Sequence, residues 1–272
     1  MQISARIVAD SINPCGNRLT TVVVTFPRFI LPQVLTHRMF SRNTSSSRAI
    51  PTKRLLERLR NDPAEPLQWM LNKRGMQPAG PASDDVAAMA SGIWHGQRDG
   101  AYWSALDMSE LGIAKEQVNR LLEPFLWTEM IISATEWDNF FRLRIHGDAQ
   151  NEIRVLAQAI KDAMDASTPD EVSPMGWHLP FIDCDWVPCN GHDLDDLIMI
   201  STARCARVSY YLPGTDKMSD YESDLRLYEK LLSDPPHASA FEHQAMALAS
   251  PERVGNFVGW VQHRKFIVGE SA

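Results

Sequence analysis

Hydrophobic and polar positions alternate with two different periods along the chain, and the period changes mark its elements. Arg18 to Phe26 (Arg-Leu-Thr-Thr-Val-Val-Val-Thr-Phe) is short and β-branched and predicts a strand. Leu126 to Ala134 predicts a second, buried strand. Gln150 to Met164 places Ile153, Leu156, Ala157 and Ile160 at i, i+3, i+4 and i+7, the spacing of an amphipathic helix. Pro27 is suited to the first turn of a helix that runs through Ile30, Val34 and Leu35 and delivers His37 and Arg38 at its C-terminal end. Pro51 opens a helix over Thr52 to Leu59, and Asp84 or Asp85 caps one running to about Gln97. Ala114 to Leu122, ended by Pro124, and Glu136 to Arg144 are expected to be helical. So are Asp195 to Val208 and Ser219 to Leu232, the latter with Ser219 as N-cap. Phe241 to Ala249 reads as a strand. Ser41 to Ser47 is polar and follows neither period, which predicts a loop. The whole predicts an α+β fold: a central antiparallel or mixed sheet flanked by helices, in a single domain over residues 1–272.

Composition narrows the class without changing this picture. Of 272 residues, 44% are hydrophobic and 22% charged, as in an ordinary globular protein, and no apolar run is long enough to span a bilayer. The N-terminus lacks a basic stretch followed by an apolar core, so no secretion signal is expected. A net charge of −7 argues against a nucleic-acid partner, which needs a basic face. The four cysteines, at 15, 184, 189 and 205, are irregularly spaced and suggest no disulfide framework, so a reducing cytoplasm is the expected compartment. His178, Cys184, Cys189 and His192 are four soft ligands within fifteen residues, but the spacing fits a proline-punctuated connection better than a zinc knuckle. No metal is expected. The absence of Gly-x-Gly-x-x-Gly leaves a Rossmann site unsupported.

The segment Thr36-His-Arg-Met-Phe-Ser-Arg-Asn-Thr-Ser-Ser-Ser-Arg48 stands out against the acidic background. Arginine forks bind two oxygens at once and small hydroxyls fill the gaps, which is the donor set a phosphate needs. Read by itself, the same segment is equally a solvated serine loop.

The block His37-Arg38-x-x-Ser41-x-Asn43-x-x-Ser46-x-Arg48 resembles the signature of the flavin-dependent thymidylate synthases, Arg-His-Arg-x-x-Ser-x-Asn-x-x-Ser-x-Arg-Tyr, with Gln33 in the place of the upstream glutamine. Arg120-Leu-Leu-Glu-Pro124 is similar to the family's Arg-x-x-Leu-Pro segment. Asn139-Phe-Phe-Arg-Leu-Arg144 followed by Ala149-Gln-x-Glu-Ile153 resembles another block. Ala206-Arg-Val-Ser209 with His237-Ala-Ser-Ala-Phe-Glu-His243 resembles a fourth, which in the family comes first and here comes last. The resemblance therefore implies the family fold in circularly permuted order, of a kind associated with bacteriophage genomes, and so a host cytoplasm. In that order 1–60 holds the signature, 61–113 is an insertion, 114–166 carries the pyrimidine and flavin helices, 167–194 is a linker, and 195–272 is the flavin and folate block with a tail. In the tail, Gln262-His263-Arg264 echoes Thr36-His37-Arg38.

What the resemblance implies is transfer of a one-carbon unit from 5,10-methylenetetrahydrofolate to C5 of a deoxypyrimidine monophosphate, dUMP above all, with FAD as redox carrier and NADPH as reductant. By the same carry-over, Arg144 holds and polarises the pyrimidine, and Gln33, Ser46, Ser47, Arg48 and Arg120 hold the nucleotide. His37, Arg38, Met39, Asn43, Asn139, Leu143, Arg144, Ser209, Ser239 and Glu242 contact FAD, and His237 lies where folate or nicotinamide stacks. The implied assembly is a homotetramer with shared active sites. Departures qualify this: Thr36, Thr44, Ala49, Ser133 and Thr135 replace the family's arginine, glutamate, tyrosine, asparagine and arginine. Arg42, Arg54 and Arg264 are candidates to restore the missing cations. They leave open dCMP instead of dUMP, hydroxymethyl instead of methyl transfer, and a catalytically silent nucleotide-binding homologue. Neither Pro14-Cys15-Gly16 nor Pro188-Cys189-Asn190 has the Pro-Cys-His context of a classical thymidylate synthase nucleophile, so a covalent thiolate route is disfavoured.

Overall fold

In the computed structural model, residues 1–183, 191–209, 219–233 and 237–267 are described. In chain order its elements are β1 (Ser4–Ile12), β2 (Arg18–Pro27), α1 (Leu31–Leu35), β3 (Ser41–Thr44), α2 (Thr52–Asn61), the hairpin β4 (Met70–Leu71) and β5 (Gly80–Pro81), and α3 (Asp84–Glu110). Next come α4 (Lys115–Val118), β6 (Trp127–Ala134), α5 (Asp138–Arg144), α6 (Asn151–Asp165), β7 (Asp170–Glu171) and β8 (Trp177–His178). The last are α7 (Leu194–Arg207), α8 (Tyr221–Leu231), β9 (Ala245–Ala247), the hairpin β10 (Arg253–Val254) and β11 (Phe257–Val258), and β12 (Trp260–Gln262).

The main sheet has the order β3-β6-β2-β1-β7, antiparallel except where β1 meets β7, so the sheet is mixed and the class is α+β. Its centre is β2 and β6, whose near-continuous Val and Ile runs are explained by burial on both faces. Val22, Val24, Phe26, Met130 and Ile132 pack against Ile153, Leu156, Ala157 and Ile160 of α6 and against Phe40, Trp137 and Phe140. Val23 and Ile131, on the opposite face, meet Cys205 and Val208 at the end of α7. A second core joins α2, α3 and the turn Asn119–Phe125 through Leu55, Leu59, Ala105, Val118 and Leu122. A smaller sheet, β12-β9-β8, gathers Leu19, Phe257 and Trp260 into a third.

Four expectations are corrected. Ser41 to Thr44 is a strand, not a loop, because β6 supplies its backbone partners and neighbours satisfy its side chains. Gln262 Nε2 donates to Ser41 Oγ at 2.7 Å, and Asn43 Nδ2 donates to the Cys205 carbonyl at 2.9 Å. The helix begun at Asp84 continues to Glu110, past Gly96 and Gly100, since neither glycine outweighs the packing of its C-terminal half on α2. Asp220, not Ser219, caps α8, its side chain accepting from the Ser223 N–H, while Ser219 donates to Asp224. Phe241 opens no strand: Ala238–Glu242 is a 3₁₀ turn, and the strand begins at Ala245.

A buried polar string crosses the sheet. Ser11 Oγ lies 2.8 Å from His178 Nδ1, His178 Nε2 2.7 Å from Thr21 Oγ1, Thr21 2.6 Å from Ser133 Oγ, and Ser133 2.9 Å from His243 Nδ1. His178 and His243 have no exposed surface, and burial drives both down to about 3, so both rings are neutral.

Candidate active site

The turn after α1 and the helix α5 form opposite walls of a cleft of about 630 Å3. Six of the flavin-contact residues expected from the resemblance line it together: His37, Arg38, Met39, Asn139, Leu143 and Arg144. Sequence explains the wall on the α5 side. Asn139 and Leu143 are four apart and so share one helix face, while Phe140 points into the core. Phe40, Trp137 and Phe140 form an aromatic floor, with Phe40 and Trp137 ring centres 4.7 Å apart. Met39 and Leu143 leave apolar surface exposed beside the cations.

Arg144 is the electrostatic centre of the cleft. Its Nε donates to His37 Nε2 at 2.9 Å, and its Nη2 donates to Thr36 Oγ1 at 3.2 Å and to the Gln33 carbonyl at 3.5 Å. All of these partners are neutral. Burial lowers the Arg144 pKa from its ordinary value, and among the described residues no carboxylate pairs with it. Because Nε can only donate, His37 Nε2 must accept, which puts the ring proton on Nδ1 and makes the imidazole neutral. Burial, reinforced by Arg144 and Arg42, holds His37 down at about 4. A planar, anionic cofactor with an aromatic part matches this set: a cation whose hydrogen-bond partners are neutral, a neutral imidazole, exposed apolar side chains and an aromatic floor.

The nucleotide residues expected from the resemblance lie elsewhere. None of Ser46, Ser47, Arg48 and Arg120 lines the cleft. Ser47 Oγ donates to Glu123, which also receives Arg120 at 2.8 Å and Arg28 at 3.2 Å. Glu123 thus already neutralises a cation cluster there, and the half-buried Arg28 depends on it, burial having lowered its pKa. Asn119 Nδ2 clamps the loop through the Ser47 and Ile50 carbonyls at 2.6 and 3.0 Å. Arg48 is exposed, 3.9 Å from Glu116. Gln33 bridges toward Gln150 at 2.5 Å, beside the Arg144 contact.

The C-terminal block meets the signature strand. Ser209 Oγ donates to Asn43 Oδ1 at 2.7 Å, and the Ser46 N–H donates to the Ser209 carbonyl at 3.0 Å. Glu242 pairs with Arg264, and Gln262 Nε2 donates to its carbonyl at 2.9 Å. Ser239 and His237 are exposed at this end of the chain.

Of the cations considered as replacements, Arg42 donates to the Leu35 carbonyl at 2.7 Å and so caps α1, Arg264 holds Glu242, and Arg54 sits exposed on α2. A third arginine lines the cleft beside Arg38 and Arg144: Arg253 of the β10–β11 hairpin, which no motif announced. Cys205 is buried, its thiol pushed up by desolvation, and Cys15 is exposed, so neither lies in the cleft. Among the described residues no group of three or more His, Cys, Asp or Glu side chains is placed to hold a metal, and no helix is long and apolar enough to cross a membrane. Cys184 and Cys189 lie outside the described residues.

No curated protein sequence matches the chain. Two solved structures are similar: those of the UMP/dUMP methylase PolB from Streptomyces cacaoi bound with 5-Br UMP (17% identity, 60% of this chain and 88% of that one, TM-score 0.49) and with 5-Br dUMP (16%, 60% and 90%, 0.49). The profile described as thymidylate synthase complementing protein matches residues 18–170, which hold the signature turn, β6, α5 and α6. That match spans more than half of the 272 residues, and the chain therefore belongs to the thymidylate synthase complementing protein family, methyltransferases of the flavin-dependent thymidylate synthase type.

Proposed function

We propose that this protein transfers a one-carbon unit from 5,10-methylenetetrahydrofolate to C5 of dUMP, giving dTMP, with FAD in the cleft between residues 36–40 and α5 and NADPH as reductant. The observation that carries this reading is Arg144: a partly buried guanidinium in the cleft whose hydrogen-bond partners are His37, Thr36 and Gln33, all neutral. FAD, when bound, supplies the redox capacity that the protein's side chains lack.

The chain's own residues then divide the remaining work. His37, held neutral, orients Arg144 through Nε2 without repelling it. Arg144 stabilises negative charge that develops on a pyrimidine carbonyl as C5 becomes nucleophilic, an effect strongest where water is excluded. Phe40, Trp137 and Phe140 make the floor of the cleft apolar. Ser46, Ser47, Arg48 and Arg120 bind the nucleotide phosphate from a second locus, and Ser239, Glu242 and His237 face flavin and folate from the C-terminal block. The two loci meet between copies of the chain, in a homotetramer. The packing of Ser209 on Asn43 and of Gln262 on Ser41 supports a circularly permuted order, since sequence blocks that come last here complete the strand that comes early.

The test is to incubate the purified protein with dUMP or dCMP, methylenetetrahydrofolate and NADPH and to weigh the nucleotide product. A methyl group added to dUMP is the expected result. Methyl or hydroxymethyl on dCMP would reassign the base, and no modified nucleotide from any combination would reject the reading.

A further inference from the structure

The β10–β11 hairpin reaches the cleft through one side chain, Arg253. Its backbone is fixed from several directions. Gly255, at φ +62°, makes the tight turn between paired Val254 and Phe257, a conformation that favours glycine. Phe257 is fully buried, the Val258 N–H donates to Thr135 Oγ1 at 3.1 Å, and the Gly259 N–H donates to the Glu252 carbonyl at 2.7 Å. Thr135 itself lines the cleft, so the hairpin is anchored at the wall that Arg253 extends.

The side chain is held more lightly than the backbone. Arg253 Nη2 lies 2.8 Å from Glu136 Oε2, with both side chains nearly half exposed, and an ion pair so open to water contributes little. A guanidinium has five N–H donors, and one carboxylate contact leaves others available. Around the same cleft stand Arg38, Arg144 and Arg253 against Glu136 and Asp138, with His37 neutral. The cleft is locally cationic in a chain of net charge −7.

We propose that Arg253 is a phosphate-binding residue: its guanidinium leaves Glu136 for a phosphate-ester oxygen of the nucleotide or dinucleotide bound in the cleft. This rests on the reading that the cleft takes a phosphorylated ligand. A rigid hairpin that presents an exchangeable fork binds phosphate at low ordering cost, because the backbone is already in place.

The experiment compares each phosphorylated ligand with its phosphate-free counterpart on the full chain: FAD with riboflavin by flavin fluorescence, and dUMP with deoxyuridine by calorimetry. Arg253→Ala is expected to weaken FAD or dUMP by about ten-fold, the loss of one charge-assisted contact, and to leave the phosphate-free member of that pair unchanged. Arg253→Lys keeps the charge without the fork and is expected to fall between the two. Equal weakening within each pair, or no change in any ligand, would overturn the proposal. A parent protein that binds none of the four ligands defeats the functional reading itself. A parent that binds FAD or dUMP, but binds neither of them better than the Arg253→Ala variant does, defeats this inference alone.

Discussion

Four histidines are held neutral by burial, and they make the protein sensitive to acid. His37 and His263 are lowered to about 4, and His178 and His243 to about 3, against an ordinary value of 6.5. The unfolded chain takes up protons on these rings below about pH 6.5, while the folded chain refuses them until pH 4 or lower. Stability from this source is complete above the unfolded value and is lost as pH falls toward 4 and then 3. Together the four should contribute on the order of several kcal/mol across that window. The melting temperature is expected to be flat from pH 7 to 8 and to drop steeply between pH 6.5 and 4; a curve flat through that lower range would show that the rings are not buried as described. His37 was legible in the sequence as part of a motif. The sequence shows His178 only as one of four soft ligands in a proline-punctuated connection with Cys184, Cys189 and His192; in the structure both its nitrogens are committed to Ser11 and Thr21.

At the scale of elements, what could be read was what local pattern decides. β2 and β6 are buried on both faces, so their apolar runs are unbroken, and α6 shows its stripe at helical spacing. β3 was unreadable because its side chains are polar and their partners lie far away: Asn43 is answered by Cys205 and Ser209, Ser41 by Gln262. No local window contains those residues. Asn43→Ala strands the Cys205 carbonyl and the Ser209 hydroxyl, and a cost of about 2–3 kcal/mol is expected, seen as a lower urea midpoint at unchanged slope. A midpoint unchanged from the parent would mean that β3 is held by its backbone pairing alone. Arg253 is illegible in the sequence for a related reason. A lone arginine beside a Gly-Asn turn carries no pattern, and only the anchoring of Phe257 and Val258 brings it to the cleft.

At the scale of the whole molecule, the motif positions fall into two separate loci within one chain. His37, Arg38, Met39, Asn139, Leu143 and Arg144 share the cleft, while Ser47 and Arg120 gather around Glu123. The resemblance implies these residues without implying their separation, because separation is a property of the folded backbone. If the loci complete each other between copies, Arg144→Ala and Arg48→Ala are each inactive yet complementary. Co-refolding or co-expressing the two is expected to restore a measurable fraction of parental turnover through sites that receive one intact locus from each chain. Activity no higher than that of the separate variants would place the whole site within one chain.

The long-range contacts of β3 have a consequence for how the chain acquires its shape. The side chains of Ser41 and Asn43, on an early strand, are answered by residues more than 160 positions later, so these closing contacts are among the most non-local in the molecule. Such contacts form late, after the entropy of a very large loop has been overcome. During synthesis the Ser41 hydroxyl and the Asn43 side-chain amide must stay in water until the C-terminal block leaves the ribosome. A nascent chain arrested before Cys205 should be readily cut by protease around Ser41 to Ser47, whereas the finished protein should resist there.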